Sequence, residues 1–131
     1  MPNKVDLQAA YCAGAGLILL DVLTDMGSPE NASPHPSPGV LMARVQVVKN
    51  LDRIEGYLRP RIPYLNRPAI SLAMQNGDKD MRQSMHARAQ CYYRCDNNAT
   101  IGPDVCVESC YQKSTVIQRV AACSDMAWLP K

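Results

Sequence analysis

The sequence predicts an all-α fold: a disulfide-stapled antiparallel helical hairpin preceded by an extended arm with two further helices. Three observations predict it. Apolar content comes from Ala, Val, Leu, Ile and Met, with no Phe and a single Trp, Trp128, a composition that suits helices. Apolar residues recur at three- and four-residue steps through two long stretches. Four of the six cysteines form two pairs of equal spacing, Cys91-Tyr-Tyr-Arg-Cys95 and, ten residues later, Cys106-Val-Glu-Ser-Cys110. A chain of 131 residues holds one domain with a modest core.

The first helix is expected from about Val5 to Met26, with Val5, Ala9, Cys12, Gly16, Leu19, Leu23 and Met26 on one stripe and Gly27 as its stop. Ala10 and Gly14 would let another helix approach closely. Its uninterrupted apolar run, Ala9 to Leu20, falls short of the ~20 residues that cross a bilayer, so it is not read as a membrane span. Ser28 to Pro38 carries Pro29, Pro34, Pro36 and Pro38 and reads as an extended linker, making residues 1–36 an arm.

Residues 37–68 form a second segment. Ser37 caps a helix with Pro38 in its first turn, which runs to about Leu58 with Leu41, Val45, Val48, Leu51, Ile54 and Leu58 inward. Arg59-Pro60-Arg61-Ile62-Pro63 ends it. The third segment, residues 69–131, begins with a short helical piece, Ala69 to Gln75, that meets Asn76-Gly77. Asp78 then caps the helix bearing Cys91 and Cys95. Asp96, Asn97 and Asn98 favour a turn, and Gly102-Pro103-Asp104 starts a last helix running to about Met126, with Leu129-Pro130-Lys131 as a tail.

Residues four apart lie on one helical face, so each cysteine pair makes a two-sulfur stripe. If the intervening residues reverse the chain, Cys91 comes opposite Cys110 and Cys95 opposite Cys106, and two nested disulfides staple the hairpin. Zinc ligation and free thiols are the alternatives. Zinc knuckles commonly place two residues between paired ligands, whereas three suit a helical face, which favours disulfides. Neither histidine helps zinc: His35 lies in the proline-rich loop and His86 lies off the cysteine stripe. Cys123 is about 140° around the helix from the staple face, so it meets Cys12 only if the first helix packs there. Two buried reduced thiols are the simpler expectation for that pair.

Net charge is +2 but unevenly spread, with −3 over residues 1–43 and +4 over residues 44–67. Without a long basic run, nucleic acid is not an expected partner. Arg53, Arg59, Arg61 and Arg67, interleaved with Tyr57 and Tyr64, are the candidate contact residues for anionic lipid headgroups or an acidic subunit; a plain solvated face is the alternative. No catalytic residue is nominated, and no cofactor or metal. Two histidines and no glycine-rich phosphate loop leave no nucleophile and base to pair. Asp78, Asp80, Asp96, Asp104 and Glu108 read as caps and solvated charges.

Disulfides imply an oxidising compartment. Lys4 beside Asp6, and Asp21 directly after the apolar run, do not fit a cleaved secretory leader, and the acidic residues do not fit a mitochondrial transit peptide. The mitochondrial intermembrane space is the compartment these features leave. Two sequons, Asn31-Ala-Ser33 and Asn98-Ala-Thr100, point instead to secretion.

The segment from Cys91 to Val120, about a quarter of the chain, resembles the twin Cys-x3-Cys domain of the small Tim proteins of the intermembrane space, and more loosely other cysteine-stapled hairpins there. The match rests on Cys91, Cys95, Cys106, Cys110, the ten-residue loop and the polar continuation Tyr111-Gln-Lys113. Small Tims are short chains that form ring-shaped import chaperones, whereas this chain places some ninety residues before Cys91. The resemblance therefore implies a non-catalytic accessory subunit of an inner-membrane respiratory complex, peripheral on its intermembrane-space side and surrounded by other subunits. An import chaperone and a secreted disulfide-rich protein are the alternatives.

Overall fold

The computed structural model describes residues 3–26, 38–96 and 102–130. The elements among them are helical: α1 (Lys4–Met26), α2 (Pro38–Leu58), a 3-10 turn (Ile62–Tyr64), α3 (Arg67–Cys95), α4 (Pro103–Lys113), α5 (Thr115–Ala121) and a second 3-10 turn (Met126–Trp128). The linker, Ser37 as a cap, Gly27, His35, both sequons and residues 97–101 of the hairpin turn lie outside the described residues.

Side-chain caps fix several helix starts. Asn3 and Asp6 bond reciprocally at α1: the Asp6 amide donates to Asn3 Oδ1 at 2.8 Å and the Asn3 amide to Asp6 Oδ2 at 3.1 Å. Asn66 accepts from the Ala69 amide at 3.2 Å to start α3. The expected single last helix divides at Ser114, which adopts extended backbone and caps α5 by accepting from the Ile117 amide at 3.3 Å.

α1 is not an arm. It packs against both α2 and α3 and forms the centre of the molecule, with Ala9, Ala10 and Ala15 wholly buried. By length and composition α1 is also apolar enough to cross a membrane, with a mean hydropathy of 1.5 within Lys4–Asp25. Small residues explain the tight α1–α3 contact. A Cβ on Gly77 would collide with the Tyr11 carbonyl, and one on Gly14 with the Met74 carbonyl, so the two backbones touch where each lacks a side chain. That contact corrects the expected break at Asn76-Gly77: α3 runs unbroken through it, and Asp78 is mid-helix, paired with Arg82 at 2.7 Å.

One core cluster joins Ala9 and Cys12 of α1, Ile54 and Leu58 of α2, and Met126 and Leu129 from the C-terminal end. The expected tail is therefore core, with Leu129 buried. A second cluster packs Ala15 against Met81 and Val120. Three disulfides bind these layers. Cys91–Cys110 and Cys95–Cys106, with Cα separations of 5.7 and 5.5 Å, set α3 and α4 antiparallel. Cys12 and Cys123, expected as reduced thiols, are also joined, with Cα atoms 5.4 Å apart, because α1 packs where that sulfur points. No cysteine remains free to ligate a metal.

Candidate functional site

The basic, tyrosine-containing stretch after α2 is divided by the fold into an inward half and an outward half. Asp6, at the start of α1, is wholly buried, and a buried carboxylate needs charged partners. Arg61 supplies a two-pronged bond, Nε to Oδ1 at 2.7 Å and Nη2 to Oδ2 at 2.9 Å, while the Tyr57 hydroxyl donates to Oδ1 at 2.8 Å. The Arg61 hydrogen bond, outweighing burial, holds the Asp6 carboxyl down at about 2. Burial, reinforced by that carboxylate, pushes the Tyr57 hydroxyl up. Arg61 also lies 5.1 Å over the Tyr57 ring. Tyr57 and Arg61, both nominated as contact residues, are thus bonded to Asp6, while the Arg61 side chain keeps 41% of its surface exposed.

Arg59 pairs with Glu55 on the surface. Arg53, Tyr64 and Arg67 are exposed, Tyr64 to 85%. The turn bearing Tyr64 also exposes Ile62.

A second network ties α1, α3 and α5. The Tyr11 hydroxyl donates to Asp80 Oδ2 at 2.7 Å, and Arg119 Nε reaches the same oxygen at 3.2 Å. Burial, then the Asp80 bond, pushes the Tyr11 hydroxyl up to about 12, so it is a fixed donor. Asp80 is accordingly a crosslink between helices and not a solvated charge. His86 is exposed and shares a 3.3 Å contact with Gln90 one turn on. Asp96, Asp104 and Glu108 are exposed. Among the described residues no group of three or more His, Cys, Asp or Glu side chains is placed to hold a metal ion.

The feature that the periodicity misplaced is the first half of α2. Leu41, Val45 and Val48, expected inward, are 44%, 55% and 41% exposed, with Met42 beside them at 73%. Ile54 and Leu58, farther along the same stripe, are buried as expected. At about 100° per residue the stripe drifts round the helix, so Leu41, Val45 and Val48 lie roughly 120° away from Ile54 and Leu58: one face meets the core and the other stands open. The signal that could have found it is the spacing itself: the three successive three-residue steps from Val45 to Ile54 each fall about 60° short of a full turn and carry the stripe onto another face.

The hairpin presents aromatic and basic groups. Tyr92 meets Tyr111 edge-on at 6.2 Å, Arg88 lies 4.8 Å over the Tyr111 ring, and Tyr93 is 86% exposed. Comparison with known proteins finds no matching family model, no matching curated protein and no matching solved structure.

Proposed function

We propose that this chain is a non-catalytic accessory subunit of a mitochondrial inner-membrane respiratory complex, docked on the intermembrane-space side and held among other subunits. The open apolar stripe of α2, Leu41, Val45 and Val48 with Met42, carries the reading. Exposed apolar patches bordered by polar residues mark interaction surfaces, and this one lies on a face of α2 apart from the one that packs into the core. The use of all six cysteines in disulfides supports an oxidising compartment. The two Cys-x3-Cys pairs on antiparallel helices, in the manner of cysteine-stapled hairpins, favour the intermembrane space. The ionisable groups support a scaffold: Asp6, Tyr11, Tyr57 and Asp80 are engaged in bonds between segments of the fold. Packing of α1 against α2 and α3 favours a peripheral position.

Val45→Glu tests this reading, because the side chain is 55% exposed and a carboxylate there stays in water. Incorporation into a high-mass assembly should fall while the isolated protein keeps its unfolding midpoint. Equal incorporation of V45E and wild-type chains would remove the α2 face as a docking site.

A further inference from the structure

A second apolar concavity lies at the other end of α2, away from the open stripe. It is a groove of about 310 Å3 between α1, the last turns of α2, the 3-10 turn and the start of α3, walled by Leu17, Leu51, Leu58, Ile62, Ile70 and Met74. A smaller recess of about 160 Å3 extends it, sharing Ile62, Ile70 and Met74. Together they reach the size of small-ligand sites, ~300–1,000 Å3. Leu17 and Ile62 at the opening are 51% and 40% exposed, so the groove is accessible from the surface.

Charge is confined to the rim. Arg59 borders the groove and Arg67 the recess, while Glu55, the carboxylate on the rim, is paired with Arg59. Arg67 is exposed beside the recess, so the rim is net cationic around an apolar floor. Tyr64, on the adjoining turn, stands out with Ile62. An apolar slot, a guanidinium at its mouth and a neighbouring exposed aromatic form the arrangement that receives an acyl chain with its anionic head at the rim.

We propose that this groove binds one acyl chain of an anionic amphiphile, with the head against Arg67 and the chain along Leu17, Ile70 and Met74. The proposal deepens the reading of a subunit at a membrane face, yet it concerns binding by the isolated chain and not assembly. Failure of one is therefore separable from failure of the other.

The test is calorimetric titration of the purified, oxidised chain with monomeric lysophosphatidylglycerol, lysophosphatidylcholine of equal chain length, and glycerol phosphate. The anionic amphiphile should bind several-fold tighter than the zwitterionic one, and glycerol phosphate should not bind measurably. Leu17→Glu puts a carboxylate in the slot at an exposed position and should weaken binding of the anionic amphiphile by about ten-fold or more. Arg67→Gln should weaken it about five-fold and leave the zwitterionic lipid unchanged. Circular dichroism of both variants should match wild type. No binding, equal affinity for the two lipids, wild-type binding by L17E, or equally tight glycerol phosphate would each overturn the proposal. Burial of Leu17 in an assembly, with no amphiphile bound by the free chain, would assign the groove to a partner protein instead.

Discussion

Replacing both Cys12 and Cys123 with alanine should destabilise the protein more than removing either staple of the hairpin. The sequence separations are 111 residues for Cys12–Cys123, 19 for Cys91–Cys110 and 11 for Cys95–Cys106. With the hairpin closed, the shortest covalent route between Cys12 and Cys123 still encloses about 90 residues, so the long bridge restrains the unfolded chain most. The chain-entropy relation gives about 4.6 kcal/mol for it, against about 3.3 and about 2.8 kcal/mol for the staples taken singly. The bridge also joins the core helix α1 to the C-terminal segment that carries Met126 and Leu129, so its loss frees both halves of the main core cluster. Urea unfolding followed by far-ultraviolet circular dichroism, on C12A/C123A and C91A/C110A, measures the difference. A smaller loss for C12A/C123A than for C91A/C110A would refute the view that this bridge, and not the hairpin, holds the fold together.

Three further outcomes follow from named contacts. Asp6 is held at about 2 against an ordinary 3.8, so its contribution of about 2 kcal/mol is fully present above about pH 4 and is lost as pH falls towards 2; Asp6→Asn should flatten that part of the acid-unfolding profile, and an unchanged profile would contradict the ion pair. Gly77→Ala should destabilise by at least 1 kcal/mol despite alanine's better helix propensity, because the added Cβ meets the Tyr11 carbonyl; a higher thermal midpoint would show that α1 and α3 are not in backbone contact. Ser84→Ala should be neutral or stabilise by about 1 kcal/mol, since the Ser84 hydroxyl is buried without a partner; a loss of more than 1 kcal/mol in urea unfolding would indicate a bond to that oxygen.

Several local signals are legible in the sequence, and the tertiary ones are not. Pro38 near a helix start and Gly102-Pro103 before another gave real boundaries, because proline and glycine restrict the backbone wherever they stand. The cysteine spacing gave the antiparallel pairing of α3 with α4, since a four-residue step fixes which face the sulfurs share. Asn76-Gly77 misled because a glycine that ends one helix elsewhere serves here as the point where another helix touches. Nothing local distinguishes those uses. The Cys12–Cys123 bridge depends on where α1 packs, which a stripe of small residues permits but does not dictate. Among the candidate contacts, Tyr57 and Arg61 bond to Asp6, a carboxylate more than fifty residues earlier in the sequence, beyond the reach of any local pattern.

The most direct test of the central claim is native gel electrophoresis of gently solubilised mitochondria, with mass spectrometry locating this chain along the mass axis. It should migrate with a large respiratory complex, its six cysteines oxidised. Migration as a free chain or a small homo-oligomeric ring, or its absence from mitochondria altogether, would contradict it.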